Sequence, residues 1–99
     1  MTAITRLPSG GISCNGVTLV LGDPRRQIIA SLGACRGWRA LPISLLDCLP
    51  AGEKSERRLH NFCTLLFSAG LLQKVDGRYQ LTVDGVKVAM ELASVESGK

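Results

Sequence analysis

The stretch LLQKVDGRYQLT, residues 71–82, constrains the fold more than any other part of the chain. Two short extended runs flank Asp76-Gly77, a pair suited to a two-residue turn that needs φ > 0 at its centre. A lone hairpin cannot bury a core. This one must therefore pack on something, and it carries Lys74 and Arg78 close to its tip.

The segments on either side supply the packing partners. Asp23-Pro24 opens a helix, because Asp at the N-cap accepts a bond from an orphan N–H and Pro at the first position loses none. Ile28, Leu32 and Cys35, with Ile29 beside them, form its apolar stripe. Gly33 weakens this helix late, and Gly37 ends it near residues 34–36, leaving Trp38 as a core or rim plug. A short helix follows in ALPISLLDCLP, with Ile43, Leu45, Leu46 and Leu49 on its buried side. The turn PAGEKS leads to a longer helix over residues 55–69, closed by Gly70. After the hairpin, Thr82 caps a last helix over residues 83–93, whose stripe is Val86, Met90 and Ala93 with Ala89 and Leu92 alongside. Upstream, Asn15-Gly16 between ISC and VTLVL is a second hairpin signature. Residues 1–11, with Pro8 and adjacent glycines, read as a flexible arm, and SVESGK as a frayed tail.

Ninety-nine residues make one domain. A chain of this size buries roughly 60–65% of its unfolded surface. The core must be mostly aliphatic, since Trp38, Phe62, Phe67 and Tyr79 are the aromatic residues. No apolar run approaches the roughly 20 residues that span a bilayer, and the first residues lack a signal-peptide pattern, so a cytosolic protein is expected. Cys14, Cys35, Cys48 and Cys63 form no Cys-x-x-Cys pair and are read as reduced, packed thiols. His60 and Cys63 have the spacing of two ligands on one helical turn, but no spacing supports the further ligands zinc would need. No metal or cofactor is expected. Paired carboxylates, a phosphate-binding Gly loop and a Ser/His/Asp arrangement have no support either, so an enzyme is not expected.

The net charge is +4, and its distribution matters more than its size. Residues 25–78 hold nine bases against four acids, while the two ends are close to neutral. A basic middle favours an anionic partner.

Helix, turn and helix followed at once by a basic hairpin give the run SERRLHNFCTLLFSAGLLQKVDGRYQLTVDGVKVA. It resembles the core of winged-helix transcription regulators. The features that carry the resemblance are Leu65-Leu66, the Ala69-Gly70-Leu71-Leu72 step, the closing Leu81-Thr82 and Gly85 near the start of the next helix. It covers about residues 24–93, and it is shared with winged-helix modules that bind no DNA. What it implies is an α+β winged helix-turn-helix: a three-helix core, a β-hairpin wing, an N-terminal hairpin or strand and a C-terminal helix. The domain would span residues 12–93, between the arm at 1–11 and the tail at 94–99.

On a helical wheel, Leu59, Phe62, Leu66 and Ala69 take the inner side of helix 55–69, with Leu65 and Arg58 at its edge. Arg57, His60, Asn61, Thr64 and Ser68 face outward. Arg can bridge guanine O6 and N7, and Asn can bridge adenine N6 and N7. Arg57 and Asn61 would then read bases, with Lys54, Ser55, Arg58 and Thr64 in support, while Glu53 and Glu56 count against DNA because they put negative charge beside those contacts. Lys74 and Arg78 on the wing, and Arg25 and Arg26 at the first helix, would contact the backbone. His60 and Cys63 are read as a surface and a packing residue. The expected protein is a small sequence-specific regulator of bacterial or phage type that binds double-stranded DNA. It would act as a homodimer through the last helix or the VTLVL edge. The alternative is a winged-helix module for protein contact, with exposed residues such as Phe67 in the interface. RNA binding lacks an aromatic stacking platform.

Overall fold

The computed structural model describes residues 3–97, with side chains through Val95. It is mixed α and β. The first sheet consists of β1 (Ile4–Arg6), β2 (Ile12–Cys14) and β3 (Val17–Leu19), in the order β1-β2-β3 and antiparallel throughout. Helix α1 (Pro24–Gly33) follows. A tight turn at Arg36–Trp38 then leads into the two-residue strand β4 (Arg39–Ala40). A 3₁₀ helix covers Pro42–Cys48, and α2 covers Glu56–Ser68. Strands β5 (Leu72–Val75) and β6 (Arg78–Leu81) form the second hairpin, and α3 (Val83–Ser97) completes the chain. The second sheet has the order β4-β6-β5, so the strand between α1 and the 3₁₀ helix returns to pair with the far strand of the hairpin.

Local chemistry explains the turns and helix starts. Asn15 and Gly16 sit at φ 51° and 82°, and Asp76 and Gly77 at φ 50° and 74°. Both pairs adopt the left-handed backbone that lets a two-residue turn match strand twist. The Asp23 carboxylate accepts from the Arg25 amide at 2.9 Å, with Pro24 at the first helical position. Ser55 caps α2 by accepting from the Arg58 amide at 3.2 Å. Thr82 Oγ1 accepts from the Gly85 amide at 3.1 Å and donates to the Gly70 carbonyl at 2.6 Å.

The core joins both sheets and all three helices. Ile12, Leu19, Ile28, Ile29, Leu32, Leu45, Leu59, Leu66, Leu71 and Leu92 are buried to 1% exposure or less. Each such aliphatic side chain contributes about 1.5–3 kcal/mol relative to remaining in water. From the hairpin, Leu72, Tyr79 and Leu81 close over this core.

Several expectations need correction. Of the expected arm at 1–11, the described residues include a paired strand, because Ile4 and Arg6 lie in register with Cys14 and Ile12. Arg6 also reaches α3, where Nε donates to Glu91 Oε2 at 2.8 Å and Nη2 to Ser94 Oγ at 3.2 Å. Met1 and Thr2 lie outside the described residues, as do Gly98 and Lys99 of the expected frayed tail, whose first part is helical. The short helix before α2 is 3₁₀, and its Ile43 is exposed while Leu45 and Leu49 are buried. Trp38 is half exposed at 48%. Phe67 is half-buried and stacks on Tyr79 at 5.8 Å, so it does not offer an exposed apolar surface.

Helix α3 is rotated from the expected stripe. Gly85, Val88, Ala89 and Leu92 face inward, while Met90 and Ala93 are exposed. The cause is close backbone approach. A Cβ on Gly85 would run into the Leu71 carbonyl, and one on Gly33 would lie 2.8 Å from the Ala89 Cβ. Only the side of α3 carrying small residues can come that near.

Two outcomes follow from this packing. Gly85→Ala should cost about 1–3 kcal/mol or more, as overpacking does, read as a lower urea midpoint; an unchanged midpoint would show that the contact can relax. The second concerns Cys63, where burial, assisted by Cys48, raises the thiol from 9.0 to about 12. The folded state thus holds its proton while the unfolded thiol releases one. Stability should be fully present below pH 9 and fall as pH rises toward 12. Cys63→Val should flatten that decline in pH-dependent unfolding, and a decline of the same slope in the variant would remove Cys63 as its source.

Candidate nucleic-acid interface

The candidate surface is built on α2. Its apolar side places Leu59, Cys63 and Leu66 in the core. That leaves Arg57, His60, Asn61, Thr64 and Ser68 exposed on the opposite side. None of these five is a carboxylate, and Arg57 has no ion-pair partner among the described residues. Thr64 Oγ1 donates back to the His60 carbonyl at 3.0 Å, which leaves its lone pairs outward.

The expected flanking bases are more engaged. Lys54 Nζ stands 3.5 Å from Asp47 Oδ1, and Arg58 Nη1 stands 3.9 Å from Glu53 Oε1. Both pairs are exposed and hold their bases weakly, by about 0–1 kcal/mol. Ser55 is exposed, but its hydroxyl oxygen already caps the helix.

An aromatic row links α2 to the hairpin. His60 lies 5.8 Å from Phe67, Phe67 lies 5.8 Å from Tyr79, and Lys74 Nζ sits 5.4 Å above the Tyr79 ring. In the register Lys74 is opposite Tyr79, so it shares the hairpin face that turns toward α2. A cation over an aromatic face contributes about 0.5–1 kcal/mol at exposed sites. That attraction, together with the register, sets where the Lys74 charge is presented.

Arg78 does not join this group. It lies opposite Val75, on the other face of the hairpin from Lys74. Arg39, opposite Gln80, shares that outer face. Arg57, Asn61 and Thr64 are thus exposed on α2, Lys74 lies on the hairpin face toward α2, and Arg78 lies on the opposite face.

The two arginines of α1 are structural. Arg26 is buried at 6% exposure and donates to the Gly10 carbonyl at 2.7 Å. Its guanidinium cannot reach a phosphate without breaking that bond, which removes it from the expected contacts. Arg25 pairs with Asp23 through Nη2 at 2.9 Å and Nε at 3.2 Å. This two-point grip neutralises it at the helix start.

Sequence reasoning also missed residues that orient the surface. The Asn15 side-chain Nδ2 donates to the Ala69 carbonyl at 2.9 Å, so the first hairpin's turn ties down the end of α2. No local signal predicts a bond across 54 positions. The placement of Arg78 was accessible, because strand alternation sends Tyr79 and Leu81 inward and Arg78 outward.

Among the described residues, no three His, Cys, Asp or Glu side chains converge as a metal site, and no helix is long and apolar enough to cross a membrane. Comparison with protein-family models, with curated proteins and with solved structures finds no match to this chain.

Proposed function

We propose that the chain is a winged helix-turn-helix regulator that binds double-stranded DNA, with α2 in the major groove and the β5–β6 hairpin as its wing. The element order supports this reading: α1, a short strand, a short helix, α2 and then a hairpin whose second strand pairs with that short strand. The observation that carries it is the outward face of α2. Arg57, Asn61 and Thr64 stand exposed there, with the Lys74 charge held over Tyr79 and the exposed Glu56 carboxylate of the first turn close to that ring.

Each residue then has a role. Arg57 and Asn61 read base edges. Lys54, Arg58 and Lys74 contact phosphates, which fix position without carrying sequence information. Lys54 and Arg58 exchange weak carboxylate partners for phosphate. Arg78 reaches the backbone from the far side of the hairpin tip. Regulation would follow from occlusion or recruitment at a promoter.

The test is a titration against duplex DNA at low and high salt. Four neutralised phosphates give log K against log salt a slope of about −4. Absent binding at low salt would end the reading. Arg57→Ala should cost about 1–3 kcal/mol on a preferred sequence and relax the preference. Lys74→Ala should weaken all sequences alike and lower the slope by about 1. Identical behaviour of the two variants would remove α2 as the reading helix.

Arg26→Ala separates structure from binding. Leaving the Gly10 carbonyl unpaired should lower stability by about 1–3 kcal/mol, while DNA affinity per folded molecule stays unchanged. A selective loss of affinity at full stability would return Arg26 to the interface.

A further inference from the structure

We propose that the pocket between the β3–α1 turn and the end of the 3₁₀ helix, with Arg26 in its wall, binds a small organic monocarboxylate. Arg26 is the one buried charged side chain among the described residues, at 6% exposure. Its Nη1 donates to the Gly10 carbonyl at 2.7 Å, while Nε and Nη2 meet no acceptor among the described residues. No carboxylate of those residues lies within ion-pair distance of it. Asp23 is the nearest acid in sequence, and Arg25 holds both of its oxygens. Oδ1 accepts from the Arg25 amide at 2.9 Å and from Nε at 3.2 Å, and Oδ2 accepts from Nη2 at 2.9 Å. That pair cancels, and one positive charge remains beneath the surface. A buried charge is costly unless it is paired and hydrogen-bonded, so a single negative charge beside Arg26 stabilises it.

The pocket gives such an anion a place. Its volume is about 320 Å³, and Leu21, Pro24, Arg26, Gln27, Ala30 and Cys48 are in its lining. Leu21 Cδ1 lies 3.6 Å from where a Cβ on Gly10 would stand. The guanidinium that bonds Gly10 therefore ends beside Leu21, on the pocket side. A guanidinium offers parallel N–H groups that match the two oxygens of a carboxylate. Leu21, Pro24 and Ala30 add apolar wall, so the fitting ligand carries a small hydrocarbon body behind its charge. The charge count decides for a monoanion over phosphate. A dianion near the Gly10 carbonyl and the Asp23 carboxylate would leave negative charge unmatched. The inference does not rest on DNA recognition by α2.

Benzoate is the probe, with benzamide as its uncharged counterpart and inorganic phosphate as the competing oxyanion. Titrating the full chain with benzoate should move the Arg26 Nε–H resonance to saturation. It should also raise the melting temperature, as a ligand of the folded state does. Benzamide should bind roughly tenfold more weakly or worse, because hydrogen bonds to charged groups are the stronger kind. Arg26→Met keeps the side-chain stem and should abolish benzoate binding. Should that variant fail to fold, Leu21→Glu carries the test from a position 63% exposed. It sets a carboxylate beside the guanidinium, so it should raise the urea midpoint without ligand and exclude benzoate. The proposal is overturned if benzoate leaves the Arg26 resonance unmoved, or if benzamide or phosphate binds as tightly as benzoate. It is also overturned if Leu21→Glu lowers the midpoint or still admits benzoate.

Discussion

The junction around Thr82 is the constraint on which the arrangement depends. Its hydroxyl joins the Gly70 carbonyl, just past α2, to the Gly85 amide in the first turn of α3. Its own amide donates to the Leu71 carbonyl at 3.2 Å. The end of α2, the end of the hairpin and the start of α3 are thus held by one residue. Gly85 completes the junction, because the Leu71 carbonyl occupies the place a side chain would need. Asn15 grips the same helix end from the other side. The angle between α2 and the hairpin follows from these bonds. With it follows the approach of Tyr79 to Phe67 that carries Lys74 to the α2 face.

Much of this was legible because its causes are local. Asn15-Gly16 and Asp76-Gly77 announce hairpins through the backbone angles they tolerate, and both adopt them. Asp23, Pro24 and Thr82 announce helix starts because an orphan N–H needs an acceptor, and each stands where it was expected. The outward set on α2 was legible because that helix is clearly amphipathic, with charged residues on one side and Leu59 and Leu66 on the other.

What was illegible depends on distant partners. Helix α3 is apolar on more than one side, so its periodicity allows two stripes. Contact with Gly33 and the Leu71 carbonyl chooses the one with the small residues. Arg26 looked like a surface base until the Gly10 carbonyl, sixteen positions away, took its guanidinium. Ile4–Arg6 looked loose because nothing nearby in sequence reveals β2 as its partner. In each case the deciding neighbour is remote in the chain, and composition is silent about it.

In the described part of the chain, the bonds from Arg6 to Glu91 and Ser94 hold the first strand against the last helix. Any segment grafted ahead of Ile4 would emerge beside one grafted behind α3. A short bridge there with a new opening at the Gly52 turn, which is exposed and has empty space around it, would give a circular permutant with the same contacts.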